Sequence, residues 1–101
     1  MLTIFKSIFG ASDTRKIDEV LAQGAVIIDV RSVGEFAGGH AKGAVNIPLD
    51  QLDAKIAKVK SYKKPIVVCC ASGMRSARAK SLLASHGITD LYDAGGWRNI
   101  S

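Results

Sequence analysis

PIVVCCASGMRSARAKSLL, residues 65–83, decides the fold. Pro65 to Cys69 is a continuous apolar and β-branched run, too unbroken for a sheet with one wet face, and predicts a short strand covered on both sides. Ala77 to Leu83, with Gly87 beyond it, predicts a helix that ends at a glycine. Working outward, Ala25 to Val30 (AVIIDV) is a second run of the same kind, interrupted only by Asp29. A Gly-punctuated segment follows, then AVNIP (44–48), a short strand ended by Pro48. Leu49, Leu52, Ile56 and Val59 recur at helical steps, with Lys55, Lys58 and Lys60 on the other face. Before the first strand, Ser12 or Asp13 offers an N-cap for a helix bearing Ile17, Val20 and Leu21 and stopping at Gly24. Ile88 to Tyr92 predicts a last strand, followed by a Gly95-Gly96-Trp97 turn. Strands alternating with helices require right-handed crossovers, so the expected fold is α/β: a central, mostly parallel sheet with helices on both faces.

The chain has 101 residues, which at roughly 100 to 200 residues per domain is one domain and excludes a cleft between two domains. Hydrophobic residues make up 48% and charged residues 23%, the make-up of a folded chain rather than a disordered one. The net charge of +5 is unevenly placed, because residues 51–101 carry nine basic and three acidic groups. That half favours an anionic ligand or partner. Its lysines lie on a helix face and at Lys63-Lys64 without interleaved aromatics, so a solvated face is read there and no nucleic-acid site.

Cys69 and Cys70 are the only cysteines and are adjacent, a poor arrangement for a disulfide framework. Two free thiols imply a reducing compartment. No apolar run approaches the roughly 20 residues that span a bilayer, and the start, MLTIFKSIFG, is too broken for a signal peptide. A cytoplasmic location is expected. Residues 1–12 form a separate N-terminal segment ahead of a domain at 13–101. Its apolar cluster, Leu2, Ile4, Phe5, Ile8 and Phe9, is read as packing on the domain's own core, because one Lys6 supplies little attraction for lipid.

In open α/β sheets, ligands bind at loops that leave the C-terminal ends of strands. Cys70, Ala71, Ser72, Gly73, Met74, Arg75 and Ser76 form such a loop. Backbone N–H groups and a helix dipole directed at the Cys70 sulfur favour thiolate over thiol, and a guanidinium at Arg75 facing the sulfur adds to this. Small residues at 71–73 let the backbone curl around an anion, with Gly73 free to take a positive φ. Met74 offers only an apolar rim. Side chains alternate along a strand, so Cys69 faces away from Cys70 and reads as core.

IIDVR (27–31), GEFAGGHAKGAVNIP (34–48), IVVCCASGMRSARA (66–79) and DAGGW (93–97) together resemble a single-domain rhodanese, a thiosulfate sulfurtransferase-type protein. The resemblance implies that Cys70 accepts sulfur, that Arg75 closes its six-residue loop, and that Asp29 and Arg31 support it from beside the loop. It also implies a route in two steps through a Cys70 persulfide, with thiosulfate or a persulfide as donor and a thiophile as acceptor, and with no organic cofactor or metal. His and Cys spacing offers no metal site either. Ala71 departs from the pattern, since many members carry a basic residue there. Its absence weakens the case for thiosulfate and raises that of a protein or low-molecular-weight persulfide donor, and with it a sulfur-relay module defined by its protein partner. A further alternative counts Cys69-x5-Arg75, the spacing of a cysteine phosphatase or arsenate reductase; the position of Gly73 and the lack of a preceding His argue against it.

Asp29, a carboxylate in an apolar strand, needs a partner, expected from buried backbone or Arg75. Glu35 is expected to pair with Arg31 or to cap a short helix. His40 is expected to anchor its loop through ring hydrogen bonds, and His86 to interact with a helix C-terminus.

Overall fold

A computed structural model describes residues 10–100. The apolar cluster at residues 2–9 therefore lies outside the described residues. Four parallel strands, β1 (Val26–Asp29), β2 (Val45–Asn46), β3 (Ile66–Cys70) and β4 (Leu91–Gly96), form one sheet in the order β2-β1-β3-β4. The helices are α1 (Gly10–Ala22), α2 (Val33–Ala37), α3 (Leu49–Leu52), α4 (Ile56–Ser61) and α5 (Met74–Ser85). Single 3-10 turns occupy Asp53–Lys55 and Trp97–Asn99. Among the described residues no helix is long and apolar enough to cross a membrane.

Strand alternation divides the core. Ile28, Val30, Ile66, Val68, Cys70 and Leu91 point to the face covered by Leu52, Val59, Ala79 and Leu83 of α3, α4 and α5. Val67 packs against Ile17 and Val20 of α1 on the other face. Ile27 and Cys69 share that other face with Ala41 and Trp97. Both central strands are thus covered twice, as their unbroken apolar sequence requires.

Several boundaries depart from the sequence reading. Helix α1 already includes Gly10, so neither Ser12 nor Asp13 is its cap. Ser and Asp are tolerated within a first turn, and their preference for the cap is not an obligation. The helix ends as expected before Gly24, which takes φ 95°. The helix expected over Leu49–Val59 is divided by a 3-10 turn, all of whose residues are exposed, while Leu52 and Val59 stay in one core cluster. The stripe persists because burial holds it; nothing holds the intervening turn in α geometry.

The last strand begins at Leu91 rather than Ile88 and contains Gly95 and Gly96, which the sequence reading places in a turn. Gly87 takes φ 88° past the end of α5, and Ile88 donates its N–H back to the Leu83 carbonyl at 3.2 Å while packing on the core. That local closure uses Ile88 before it can extend. At the other end, a bulge lets Gly95 pair with Cys69 and Gly96 with Cys70.

Candidate active site

Strand β3 ends at Cys70, and α5 begins at Met74, three residues ahead of the expected start at Ala77. The loop proper is therefore Ala71–Gly73, and Met74, Arg75 and Ser76 form the first helical turn. Gly73 makes this abrupt entry possible by taking φ 113° at the N-cap, a conformation costly for any residue with a Cβ. Its N–H donates to Cys70 Sγ at 2.9 Å. Gly96 makes room for the loop: a Cβ there would lie 2.8 Å from the Ala71 carbonyl oxygen.

The Cys70 side chain is buried, and burial alone would raise its pKa. Hydrogen bonding from the Ser76 hydroxyl and N–H, and from the N–H groups of Gly73 and Ser72, outweighs burial and leaves the thiol below its ordinary value. Ser76 is itself wholly buried, and its hydroxyl is also placed to donate to the Gly73 carbonyl at 3.1 Å. It holds the loop closed when Cys70 is a thiol and answers the charge when Cys70 is a thiolate. Cys69 has the opposite fate. Burial, reinforced by the Asp29 charge, pushes its thiol up to about 12. Facing the other side of the sheet with no loop around it, Cys69 offers no nucleophile near neutral pH.

Asp29 and Arg31 form a buried pair of their own. Arg31 donates to Asp29 through Nε at 3.0 Å and Nη2 at 2.7 Å, and its backbone N–H donates to Asp29 Oδ1 at 3.0 Å. Arg31 also donates to the Gly39 carbonyl at 2.7 Å, and its guanidinium lies 4.8 Å from the Trp97 ring centroid. Donating to the Asp29 carboxylate raises the Arg31 pKa further. The buried-backbone partner expected for Asp29 is thus present as the Arg31 N–H, joined by the Arg31 side chain, and the alternative pairing with Arg75 is not formed. Because Asp29 is in register with Cys69, its side chain turns to the face away from Cys70, while Arg31 Nη1 donates at 3.4 Å to the carbonyl of Glu35, the partner of Arg75. The pair braces the chain at the end of β1. Removing one member would strand a buried charge, at about 3–5 kcal/mol.

Arg75 turns instead to Glu35. Its Nη1 and Nη2 donate to Oε1 and Oε2 at 2.7 and 2.9 Å, a two-pronged ion pair between residues forty apart in sequence. Glu35 also closes a capping box with Ser32 at the start of α2. The Arg75 guanidinium, and then the Ser32 N–H, lower the Glu35 pKa to about 2. The helix cap expected for Glu35 is present, whereas the side-chain partner expected in Arg31 is replaced by Arg75. The guanidinium is held by the Glu35 carboxylate through both of its terminal nitrogens. Asn46 was not singled out in the sequence, yet its side chain donates to the carbonyls of Asp29 and Arg31 at 3.0 Å each, fixing the end of β1.

His40 anchors its loop as expected: Nδ1 lies 2.8 Å from the Phe36 carbonyl and the ring stacks on Phe36. His86 sits at the C-cap of α5, but its ring reaches Asp53 at 3.2 Å rather than the helix carbonyls.

Beside the loop, Val30, Ser32, Pro48, Leu49, Asp50 and Arg75 line an open, mainly apolar cleft of about 350 Å³. A larger cleft, about 540 Å³, lies at the N-terminal ends of β3 and β4 and is bordered by Lys60, Lys63, Lys64 and Asp90. Neither cysteine lines it, whereas the smaller cleft is bordered by Arg75 of the Cys70 loop.

A family profile for the Rhodanese-like domain matches residues 13–101. The chain belongs to that family. Among curated proteins, the rhodanese chain is 42% identical over 72 residues to the uncharacterized protein YqhL of Bacillus subtilis, covering 71% of this chain and 56% of that one. It is 37% identical over 75 residues to thiosulfate sulfurtransferase PspE of Escherichia coli, covering 73% and 72%. Among solved structures, the human single-domain sulfurtransferase TSTD1 superposes with a TM-score of 0.70 at 32% identity, covering 84% of this chain and 88% of that chain. An Escherichia coli rhodanese with anions gives 0.68 at 36% identity, covering 77% and 93%. The protein is a rhodanese-type sulfurtransferase.

Proposed function

We propose that Cys70 carries sulfane sulfur as a persulfide between a donor and a thiophilic acceptor. The observation that supports this most is the position of Cys70 Sγ, which receives the Gly73 N–H at 2.9 Å inside a turn whose other N–H groups also lower its pKa. In the first step the Cys70 thiolate attacks the outer sulfur of a donor such as thiosulfate, the substrate named for PspE. A bond forms between Cys70 Sγ and that sulfur, the donor's sulfur–sulfur bond breaks, and its electron pair leaves with sulfite. The terminal persulfide sulfur carries the negative charge, and the N–H groups that favoured the thiolate remain directed at it. In the second step a nucleophile, cyanide or a thiolate, takes the terminal sulfur and the pair of electrons returns to Cys70. Both steps balance without an outside oxidant or reductant.

Rhodanese turnover from thiosulfate to cyanide tests the assignment. Cys70→Ser is expected to fall to background and Cys69→Ser to keep most of its activity. The reverse pattern would move the nucleophile to Cys69 and reopen the phosphatase-like count.

One observation favours a protein acceptor as a second reading. Val33 and Met74 are the large apolar residues that stand exposed among the described residues, at 65% and 73%, and they begin α2 and α5, the two helices tied by the Glu35–Arg75 pair. Apolar side chains at a reactive mouth suit contact with another protein surface.

A further inference from the structure

The ionic arrangement at the mouth is unfavourable to a small dianion. Residues 71–74 contain no basic side chain, so Arg75 is the loop's one cation. Both terminal nitrogens of Arg75 are engaged by Glu35, which stays ionised down to a pH of about 2. Arg31, which donates to the Glu35 carbonyl, is paired with Asp29. Asp50 adds a negative charge to the rim of the cleft. Lys60, Lys63 and Lys64, three of the six lysines of the second half, border the other cleft, at the far end of the strands. A five-residue strand is about 16 Å long, and exposed charges beyond roughly 8–10 Å are largely screened at physiological salt. What the cleft does offer is apolar surface, from Pro48 and Leu49 over the buried Val30.

We propose that Glu35, by neutralising Arg75, is a specificity-determining residue that turns this site from the thiosulfate dianion toward organic sulfane donors whose apolar body lies on Pro48 and Leu49. The inference rests on Cys70 as the sulfur carrier and names the donor class for that site. With an organic thiosulfonate the chemistry is unchanged: Cys70 Sγ bonds to the outer sulfur, the donor's sulfur–sulfur bond breaks, and an organic sulfinate leaves with the electron pair. Thiosulfate and benzenethiosulfonate therefore present the same outer sulfur with different charge and bulk.

The experiment compares kcat/KM for these two donors, with cyanide as acceptor. Wild-type protein is expected to favour benzenethiosulfonate, and a series of alkanethiosulfonates to rise roughly two- to fourfold per methylene that reaches the cleft. E35Q, which frees the Arg75 charge while keeping a capping oxygen, is expected to shift the donor ratio toward thiosulfate by about fivefold and to steepen the salt dependence of thiosulfate turnover. A71R adds a cation at an exposed position by a separate route, and the same shift is expected should E35Q fold poorly. Equal loss with both donors in E35Q would make Glu35 merely structural and overturn the proposal. So would a flat alkane series, a wild-type preference for thiosulfate, or an A71R ratio that does not move. If Cys70→Ser keeps turnover with either donor, the sulfur carrier has been misassigned; if it loses both while the ratios stay fixed, only the role of Glu35 fails.

Discussion

Two neighbouring thiols acquire opposite chemistry from a single geometric fact, the alternation of side chains along β3. Cys69 turns to the α1 face, where burial and Asp29 hold it as a neutral thiol up to about 12. Cys70 turns to the face on which α5 begins and meets three N–H groups and a hydroxyl. That division is legible in the sequence, since alternation needs only a strand. The partners of the charged residues are not, because Glu35 and Arg75 meet only when the parallel sheet brings α2 beside α5. Asp29 shows the same limit at short range: its need for a partner follows from an apolar strand, but the choice of Arg31 depends on how the chain turns after β1. The pH dependence follows from the lowered Cys70 pKa. The thiolate is the reactive form, so kcat/KM for the donor should fall as pH drops through that pKa, which lies below the ordinary thiol value of 9.0. Ser76→Ala removes a hydroxyl that stabilises the thiolate, and the acid limb should move to higher pH. A pH–rate profile with the limb unmoved would show that Ser76 acts only on the loop's shape.

At the scale of elements, the site depends on where β3, α5 and β4 end. Their existence and order are written in hydrophobic patterning, and their boundaries are set by contacts that patterning cannot show. Gly95 and Gly96 look like a turn in isolation; in the sheet they extend β4 because Cys69 and Cys70 offer them a ladder across a bulge. Likewise Met74–Ser76 read as loop but are helix, since Gly73 completes the reversal by itself. Gly96 connects these elements, because the Ala71 carbonyl occupies the space a side chain would need. Gly96→Ala should therefore cost about 1–3 kcal/mol in urea denaturation, through displacement of backbone, and should lower sulfur transfer by more than the unfolded fraction explains. Unchanged stability with full activity would mean that the loop yields without consequence.

Over the whole molecule, the Lys60, Lys63 and Lys64 cluster and the Cys70 loop occupy opposite ends of the strands. The sequence places an excess of positive charge in the second half, and its reading associates that charge with an anion in the Cys70 loop. The fold sends Lys60, Lys63 and Lys64 to the N-terminal ends of the strands and leaves Arg75 paired at the other. A count by sequence halves cannot see this, because each strand–helix unit runs from one end of the sheet to the other. Replacing Lys60, Lys63 and Lys64 together with glutamine should leave kcat/KM for thiosulfate within about twofold at physiological salt, given screening over that distance. A drop of tenfold would mean that the lysines steer the donor after all. The central claim, that sulfur travels on Cys70, is tested most directly by intact-protein mass spectrometry after incubation with a sulfane donor and removal of the excess. The account predicts a gain of one sulfur atom that dithiothreitol reverses, that persists in Cys69→Ser and that is absent from Cys70→Ser. A sulfur adduct retained by Cys70→Ser and lost from Cys69→Ser would contradict it.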